Sequence, residues 1–330
     1  MSCDPSHHHD TSARIAISGL LAYCRPGFEK ELASELDDIA ADAGMIGFVR
    51  TQPNSGYAAF EAFEPVPVST LGEHADWRKP VFARQLLPWF AKVDDLPERD
   101  RATPIVAAVH ASGQRFSGVV LETPDNDEAK QQSGFCRRFA EPLTRALEKA
   151  GRLRTSKTGL PLLHVVFTSP TTAWLASGLP GMCAPWPMGI PRLRMPSNAP
   201  SRSTLKLAEA FMTLLSDEER ENNIRAGQRA VDLGAAPGGW TWQLANRGLR
   251  VIAVDNGPMK DSVMADWVAT GRCRHTIFNL KLPMKRRLEA VEQCRILIQK
   301  RLASVGPYDL RIKQLYHDRE EVTAYLTLKR

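Results

Sequence analysis

The sequence predicts an α/β protein with a Rossmann-like cofactor-binding domain, preceded by an α+β region. Three observations support this fold class. An apolar run ends on Asp232, and a turn rich in glycine and proline then leads into a helical pattern at Trp240. A second apolar run, residues 251–254, ends on Asp255. Near the N-terminus, the order strand, helix, strand, strand indicates a ferredoxin-like module.

The composition limits the classes of protein that the chain can belong to. Its 330 residues are enough for two domains with separate cores, and 43% hydrophobic and 24% charged residues are typical of soluble globular proteins. The net charge of +6 favours an anionic partner. No apolar run reaches roughly eighteen residues, and no secretory pattern is present, so we expect a cytoplasmic protein without membrane attachment. The six cysteines are scattered, which predicts reduced thiols and no structural metal.

The N-terminal region, residues 15–190, follows a leader at 1–14 that we expect to be disordered. The ferredoxin-like module is predicted from a strand at 20–24, a helix at 28–42, and two strands, Gly47–Thr51 and 57–61, around the turn at 53–56. Further strands are predicted at 104–109, 117–122, 164–167 and 172–175, with an amphipathic helix at 135–149. His164 is expected to be a strand residue and not a ligand. Residues 178–203 lack periodicity, and we place the domain boundary there, at 190/191.

The second domain, residues 191–330, is predicted to begin with a helix that Ser201 or Ser203 can cap. The turn that follows its first strand predicts a nucleoside-cofactor pocket. Gly234, Gly238 and Gly239 allow backbone N–H groups to approach a ligand closely. The spacing fits the G-x-G-x-x-G fingerprint of dinucleotide-binding proteins poorly, and no Lys-Ser or Lys-Thr pair follows, which disfavours a P-loop.

A second strand ends at the same edge and adds an acidic residue. Asp255, at the tip of that strand, is placed to bind ribose hydroxyls. Nucleoside recognition therefore does not depend on the glycine turn alone.

The pattern after Asp255 lacks elements that a doubly wound domain requires. Only a short helical stretch, 264–270, precedes the next strand, 276–282. A strand–helix–strand unit needs roughly 30 residues or more. Either the protein lacks half of its sheet, or the sequence joins two ordered pieces across a segment missing between about Met259 and Met264. We favour the second, because a sheet without its central strand would leave its neighbours with unpaired edges.

Four blocks of the sequence resemble those of the FtsJ-like ribose 2′-O-methyltransferases. They are Arg202-Ser-Thr-Leu-Lys206, Asp232-Leu-Gly-Ala-Ala-Pro-Gly-Gly239, Asn279-Leu-Lys281 and Arg319-Glu-Glu321. Enzymes of that family carry a Lys-Asp-Lys-Glu tetrad. The resemblance implies that Lys206 and Lys281 are its lysines, and that Glu321 is its glutamate, with Glu320 as the alternative. The tetrad aspartate would fall in the missing segment and is not assigned to a residue.

The same resemblance implies S-adenosyl-L-methionine as the cofactor. The residues it assigns to cofactor binding surround the glycine turn: Ser203, Asp232, Gly234, Ala236, Pro237, Gly238, Gly239, Trp240 and Asp255.

Longer blocks are similar to the RlmM family, whose members methylate the 2′-OH of a cytidine in 23S ribosomal RNA. They include Cys24-Arg-Pro-Gly-Phe-Glu-Lys-Glu31, Phe135-Cys-Arg-Arg-Phe139, Met188-Gly-Ile-Pro-Arg-Leu193 and Gln314-Leu-Tyr-His-Asp-Arg-Glu-Glu-Val322. The resemblance implies a THUMP-containing RNA-binding region over 15–190 and a Rossmann-like methyltransferase domain over 191–330. It also implies that 23S ribosomal RNA is the partner and that the protein acts in ribosome biogenesis.

Ribose methylation needs a base that removes a proton from a weakly acidic hydroxyl. A lysine serves only if burial or a neighbouring cation lowers the pKa of its ammonium. We expect Lys281, in an apolar strand, to be this base, with Lys206 and Glu321 positioning. RNA phosphates could be bound by Lys285-Arg-Arg287, by Arg272 and Arg274, or by the helix that carries Arg137 and Arg138.

Two other functions remain open at this point. One is an RNA-binding protein whose methyltransferase domain is degenerate, since the aspartate is unassigned. The other is a nicotinamide-dependent oxidoreductase, which the glycine spacing disfavours.

Overall fold

The computed structural model describes residues 15–154, 159–254 and 275–329. The chain divides into two compact units, Met1–Ile190 and Pro191–Arg330. The expected disordered leader, residues 1–14, lies outside the described residues. In the described part of the chain, no helix is long and apolar enough to cross a membrane, and no group of three or more His, Cys, Asp or Glu side chains is arranged to hold a metal ion.

The first unit is built on one seven-stranded sheet with the order β2-β3-β1-β4-β7-β6-β5. Its elements are β1 (Ala16–Tyr23), α1 (Glu29–Asp42), β2 (Gly47–Thr51), β3 (Tyr57–Pro67), β4 (Gln85–Val93), α2 (Ala102–Ala111), β5 (Gly118–Glu122), α3 (Asp127–Lys149), β6 (Leu162–Ser169) and β7 (Thr172–Gly178). Only β5 and β6 pair in parallel. The order β1-α1-β2-β3 confirms the predicted ferredoxin-like module, and β4 joins it to the later strands.

The prediction of a strand at residues 104–109 is wrong, because this stretch lies in helix α2. Ile105 and Val109 are the buried residues of α2 and are four positions apart, so they lie on one helical face. They belong to the apolar core that also holds Phe116, Leu143 and Phe167. The pattern was therefore helical, and the short apolar run concealed it.

The second unit contains two separate sheets in the residues that the structure describes. Its elements are α4 (Ser203–Leu214), α5 (Asp217–Asn223), β8 (Arg229–Leu233), α6 (Gly239–Ala245), β9 (Arg250–Val254), β10 (His275–Lys281), α7 (Arg287–Leu302), β11 (Tyr308–Lys313) and β12 (Glu321–Leu328). β8 and β9 pair in parallel around α6, as the predicted strand–helix–strand unit requires. β10, β12 and β11 form an antiparallel sheet in that order.

No described strand joins β8–β9 to the β10-β12-β11 sheet. Apolar side chains of the small sheet remain open to solvent: Val231 is 43% exposed, Ile252 59% and Val254 40%. The expected break between about Met259 and Met264, and the helix expected at 264–270, both lie outside the described residues. The two-stranded sheet therefore leaves apolar side chains uncovered by the other described residues.

Candidate active site

A lysine and two carboxylates meet where α4 faces the connection between β11 and β12. The Lys206 ammonium, on the first turns of α4, donates a hydrogen bond to Glu321 Oε2 at 2.5 Å. The same Nζ lies 3.4 Å from Asp318 Oδ1. Asp318 is fully buried, whereas 22% of the Lys206 side chain and 35% of the Glu321 side chain are exposed. The cluster thus has one enclosed carboxylate and one on the open side.

A second acid on α4 fixes the connection that carries Asp318. Glu209 lies one turn after Lys206 and is buried. Its carboxylate accepts hydrogen bonds from the backbone N–H groups of Tyr316, at 2.6 Å, and His317, at 3.1 Å. His317 Nδ1 lies 2.5 Å from the same carboxylate. Two successive turns of α4 therefore bind one loop, which sets the distance between Lys206 and Asp318.

Hydrogen bonds within the loop orient the buried carboxylate. Asp318 Oδ2 accepts from the backbone N–H of Leu315 at 3.1 Å and from the Thr323 hydroxyl at 3.0 Å. With Oδ2 occupied, Oδ1 is the oxygen nearest to Lys206. The orientation of this carboxylate is therefore set by β12 and the loop before it.

The second predicted lysine reaches the same place through strand pairing. In the register of β10 and β12, Lys281 lies directly opposite Glu321. Asn279, two residues earlier on β10, donates from Nδ2 to Glu321 Oε2 at 3.3 Å. The structure thus brings Lys206, Lys281 and Glu321 together. Among the described residues, nothing buries the Lys281 side chain, which is exposed.

At this cluster, burial and the neighbouring charges shift the pKa of each ionisable group in opposite directions. Burial alone would lower the pKa of Lys206, but the hydrogen bond to Glu321 and the charges of Asp318 and Glu321 outweigh it and raise that pKa. Burial favours a protonated Glu321, but Lys206, Asn279 and Lys281 together lower its pKa. Burial raises the pKa of Asp318 to about 6, against the opposing charge of Lys206. At neutral pH, Lys206 is therefore an ammonium between two carboxylates.

Glu320, the alternative for the glutamate, has a different partner. Its carboxylate lies 3.3 Å from Arg287 Nη2, and half of its side chain is exposed. Glu321 alone of this adjacent pair contacts Lys206 among the described contacts. The geometry therefore favours Glu321 for the position that the resemblance assigned.

The glycine turn after β8 is held against β9. The backbone N–H groups of Gly234 and Ala235 both donate to the carbonyl oxygen of Val254, at 2.8 and 3.2 Å. Gly234 and Gly238 adopt left-handed conformations with φ of 78° and 94°, and the peptide bond between Ala236 and Pro237 is cis. No atom of the described structure lies within 4 Å of a Cβ placed on Gly234. The turn therefore has an open side at Gly234, although the N–H groups of Gly234, Ala235 and Gly238 already donate to backbone carbonyl oxygens.

Gly239 allows close packing, because a side chain at this position would clash with its neighbours. A Cβ at this position would lie 2.0 Å from Ser203 Oγ and 2.5 Å from Ser201 Oγ. Thr204 closes the contact, because its hydroxyl donates to the Gly239 carbonyl at 3.1 Å. The first turns of α4 and α6 thus touch at a glycine. Asp232, at the end of β8, is buried and accepts a hydrogen bond from the Thr241 hydroxyl at 2.6 Å.

Three further predictions concern the start of α4, Trp240 and Asp255. The capping of α4 by Ser201 or Ser203 is wrong: the N-cap is Arg202, without a side-chain hydrogen bond, and the two serine hydroxyls lie 2.6 Å apart. Trp240, assigned to the cofactor, packs against the apolar core around Leu207 and Phe211. Asp255 lies outside the described residues, so its assigned role remains a prediction.

The residues proposed to contact RNA differ in how far their side chains are exposed to solvent. Arg137 and Arg138 on α3 are exposed, and so is Lys285. Arg287 is mostly enclosed, with 10% of its side chain exposed, and pairs with Glu320. Arg272 and Arg274 lie outside the described residues. Lys285 is therefore a better candidate for a phosphate contact than Arg287.

Three residues of the candidate site are not recognisable from the sequence blocks that indicate the others. Asp318 and Glu209 are buried acids, and Asn279 precedes Lys281 in a quoted block without having been given a role. A buried acid in an otherwise apolar helical face, as at Glu209 among Leu207, Ala210 and Phe211, is a recognisable exception to ordinary burial. No local pattern indicates that Asp318 faces Lys206.

Three family models match successive parts of the chain. Residues 17–87 match the RlmM ferredoxin-like domain, and residues 100–178 match the N-terminal model of ribosomal RNA large subunit methyltransferase M. Residues 199–282 match the FtsJ-like methyltransferase model. The predicted ferredoxin-like module and methyltransferase domain are thereby confirmed.

Curated relatives are similar over almost their whole length. The chain is 70% identical to ribosomal RNA large subunit methyltransferase M of Azoarcus sp. (strain BH72), over 98% of this chain and 99% of the relative. It is 69% identical to the protein of that name from Thauera aminoaromatica, over 98% and 100%. A third, from Aromatoleum aromaticum, is 61% identical over 96% of each chain.

These alignments are longer than the chain itself. The one with the Azoarcus relative runs over 361 positions, whereas this chain has 330 residues, so at least 31 aligned positions have no residue here. Because nearly all of both chains is aligned, those positions lie inside the match and not beyond its ends. The relatives therefore have internal positions that this sequence lacks, about as many as the roughly 30 residues of a strand–helix–strand unit.

Proposed function

Because the chain belongs to the ribosomal RNA large subunit methyltransferase M family, we propose that it methylates the ribose 2′-OH of a cytidine in 23S ribosomal RNA. At the coarser level the protein is an RNA methyltransferase that uses S-adenosylmethionine. The single observation that supports the finer proposal is the meeting of Lys206, Lys281 and Glu321 at one place. Such a cluster suits the removal of a proton from a hydroxyl.

The two lysines would have different roles. Lys206 is held as an ammonium by Glu321 and Asp318, so it is a poor base and a good fixed cation. Lys281 has no carboxylate within ion-pair distance among the described contacts, and we assign it the role of general base. In its neutral form it would accept the 2′-OH proton while the ribose oxygen bonds to the methyl carbon.

The residues around the glycine turn are compatible with the cofactor. S-adenosylmethionine supplies an electrophilic methyl group. The open side at Gly234 leaves room for a ligand next to the end of β8. Gly238 also has a left-handed conformation, and among the described atoms only Pro200 Cγ, at 3.8 Å, lies within 4 Å of a Cβ placed on it. We therefore propose that the cofactor site is lined by four turn residues: Gly234, Ala236, Pro237 and Gly238. Gly239, Ser203 and Trp240 would pack against the turn and support it.

RNA recognition is assigned to the N-terminal unit together with charges near the active site. Arg137 and Arg138 project from the exposed part of α3, and Lys285 follows β10 by four residues. Contacts of this kind to phosphates give affinity that falls steeply with salt. Selection of one cytidine would need additional contacts to its base.

A second candidate function is RNA binding without catalysis. It is favoured by the internal positions that the relatives have and this chain lacks, and by the exposed apolar residues of the β8–β9 sheet. In that case the N-terminal unit would bind RNA while the second unit fails to hold the cofactor. The presence of Lys206, Lys281 and Glu321 in one cluster argues for the active enzyme.

One experiment separates the two functions. Unmethylated 23S ribosomal RNA is incubated with the protein and S-adenosylmethionine labelled in its methyl group, and the RNA is digested to nucleosides for mass spectrometry. We expect label in 2′-O-methylcytidine at a single site. RNA binding with no label would support the second candidate, and label on a base or on another nucleoside would overturn the ribose cytidine proposal.

A further inference from the structure

We propose that Asp318 is a positioning residue for methyl transfer, because it fixes Lys206 in place and in its charged form together with Glu321. This inference rests on the proposed function and adds a residue to its site. Asp318 has no position in the Lys-Asp-Lys-Glu pattern, in which the second unit otherwise supplies both lysines and the glutamate. Its role follows from where the fold places its carboxylate.

Two carboxylates contact the Lys206 ammonium. Lys206 Nζ lies between Glu321 Oε2, at 2.5 Å, and Asp318 Oδ1, at 3.4 Å. A flexible lysine bound by one carboxylate can still swing about that contact, whereas two carboxylates on different sides restrict it. Asp318 lies in the loop and Glu321 lies three residues later, at the start of β12, so one short segment supplies both contacts to Lys206. Lys206 is thereby held at a defined distance from β10.

Asp318 is itself held in place by hydrogen bonds. Its other oxygen accepts from Leu315 N–H and from the Thr323 hydroxyl. The loop is tied to α4 by Glu209, which binds the two residues that precede Asp318. A buried carboxylate with this many fixed contacts has little freedom to turn away. A structural residue would need no particular charge, whereas a positioning residue for an ammonium does.

The charges of Asp318 and Lys206 also depend on each other. A fully buried carboxylate is costly unless it faces a cation, and Lys206 is the cation nearest to Asp318 in the described contacts. Other titratable groups near this pair are Glu321 on β12, Glu209 on α4, and Lys281 on β10. Glu209 opposes the charge of Asp318, which makes the contact with Lys206 more important. Together the acids keep Lys206 protonated, so the proton from the ribose hydroxyl goes to Lys281 and not to Lys206.

The test uses the full-length protein with lysine labelled with ¹³C at Cε. The Lys206 resonance is identified by its loss in Lys206→Arg, and its titration is followed by nuclear magnetic resonance. In Asp318→Asn, which keeps a side-chain acceptor for Leu315 and Thr323, we expect Lys206 to titrate at lower pH. We also expect the single-turnover rate of methyl transfer to fall roughly tenfold while cofactor affinity stays unchanged. Asp309→Asn is the matched control, since Asp309 pairs with Arg311 and not with Lys206.

The reciprocal variant keeps the inference testable if Asp318→Asn does not fold. In Lys206→Met, the Asp318 carboxyl should titrate at higher pH than in the unmodified protein, because the cation that favours its charged form is gone. An unchanged Lys206 titration in Asp318→Asn, or an unchanged Asp318 titration in Lys206→Met, would overturn the inference. A shifted titration with an unchanged transfer rate would overturn the positioning role. If the unmodified protein transfers no methyl group but the titrations shift, the proposed function fails and the Lys206–Asp318 pair stands.

Discussion

Lys281 and Glu321 lie directly opposite each other across β10 and β12, although 40 positions separate them in the sequence. Directly opposed side chains on neighbouring strands have Cβ atoms roughly 4.5–5.5 Å apart, so strand pairing alone fixes their separation. Glu321 in turn binds Lys206 from α4. The three residues meet because a sheet register and a helix position agree, and a one-residue slip of β10 would turn Lys281 to the other face.

Replacing the proposed base should stop the reaction without preventing binding. In Lys281→Ala we expect methyl transfer to fall by roughly 10²–10⁴-fold, the usual contribution of a positioned acid–base group. Lys281→Arg should fail as well, because a guanidinium stays protonated. Single-turnover transfer is measured with RNA and cofactor affinities determined separately. Near-normal transfer in Lys281→Arg would exclude Lys281 as the base.

Close packing at Gly239 should make it intolerant of a side chain. An alanine Cβ would meet Ser203 Oγ at 2.0 Å, so we expect Gly239→Ala to destabilise the second unit by about 1–3 kcal/mol and to weaken cofactor binding. Urea unfolding monitored by hydrogen exchange and mass spectrometry separates the two units. The matched control is Gly134→Ala in α3, where the nearest atom is Arg138 Nη1 at 3.7 Å. That change should stabilise the first unit by about 0.5–1 kcal/mol, and a loss there would contradict the helix-propensity argument.

Sequence patterns predicted elements whose periodicity is local and missed those that depend on distant partners. The glycine turn after Asp232 and the strand that ends on Lys281 were predicted correctly, since each combines an apolar run with a clear terminus. β4 was missed because Pro88 lies inside it, and proline usually excludes a residue from a central strand. Its neighbours β1 and β7 determine that it pairs.

In the candidate site, too, some residues were identified from the sequence and others depend on contacts between distant elements. Lys206, Lys281 and Glu321 were found because they stand in blocks that resemble a known family. Asp318 was not, because its significance depends on the contact between α4 and the β11–β12 loop, which no spacing in the sequence reveals. Similarly, nothing local showed that a side chain at position 239 would clash with Ser203.

Lys285 and Arg287 should contribute differently to RNA binding. Lys285 is exposed, so Lys285→Ala should weaken RNA affinity and reduce the slope of log affinity against log salt by about one unit. Arg287 is held by Glu320, so Arg287→Ala should change the salt slope less. Filter binding at several salt concentrations measures both. Equal slopes for the two variants would show that burial and pairing do not determine which cation contacts the phosphate backbone.

The pair of Glu219 and Arg311 should make the second unit sensitive to strong acid. Arg311 binds both oxygens of Glu219, at 2.6 and 2.7 Å, and lowers the pKa of that carboxyl to about 2. A lowered carboxyl pKa contributes stability that is present above about pH 4.5 and is lost as pH falls towards 2. Because the pair is partly open to solvent, we expect Glu219→Gln to cost about 1 kcal/mol at pH 7. The difference from the unmodified protein, measured by urea unfolding, should shrink at low pH, and a constant difference would contradict the assignment.

Asp318 should reduce stability at the pH where it supports catalysis. Burial raises its pKa from 3.8 to about 6, so its contribution to stability is fully present below about pH 4 and is lost as pH rises through 6. At pH 7 the ionised, buried carboxylate therefore costs on the order of 2–3 kcal/mol relative to its unfolded state, since one pKa unit corresponds to about 1.4 kcal/mol. Asp318→Asn removes that ionisation, and we expect the variant to be more stable than the unmodified protein at pH 7 and to lose this advantage near pH 4. Urea unfolding across this range tests it: a variant less stable at pH 7 would mean that the ion pair with Lys206 outweighs the burial of its carboxylate.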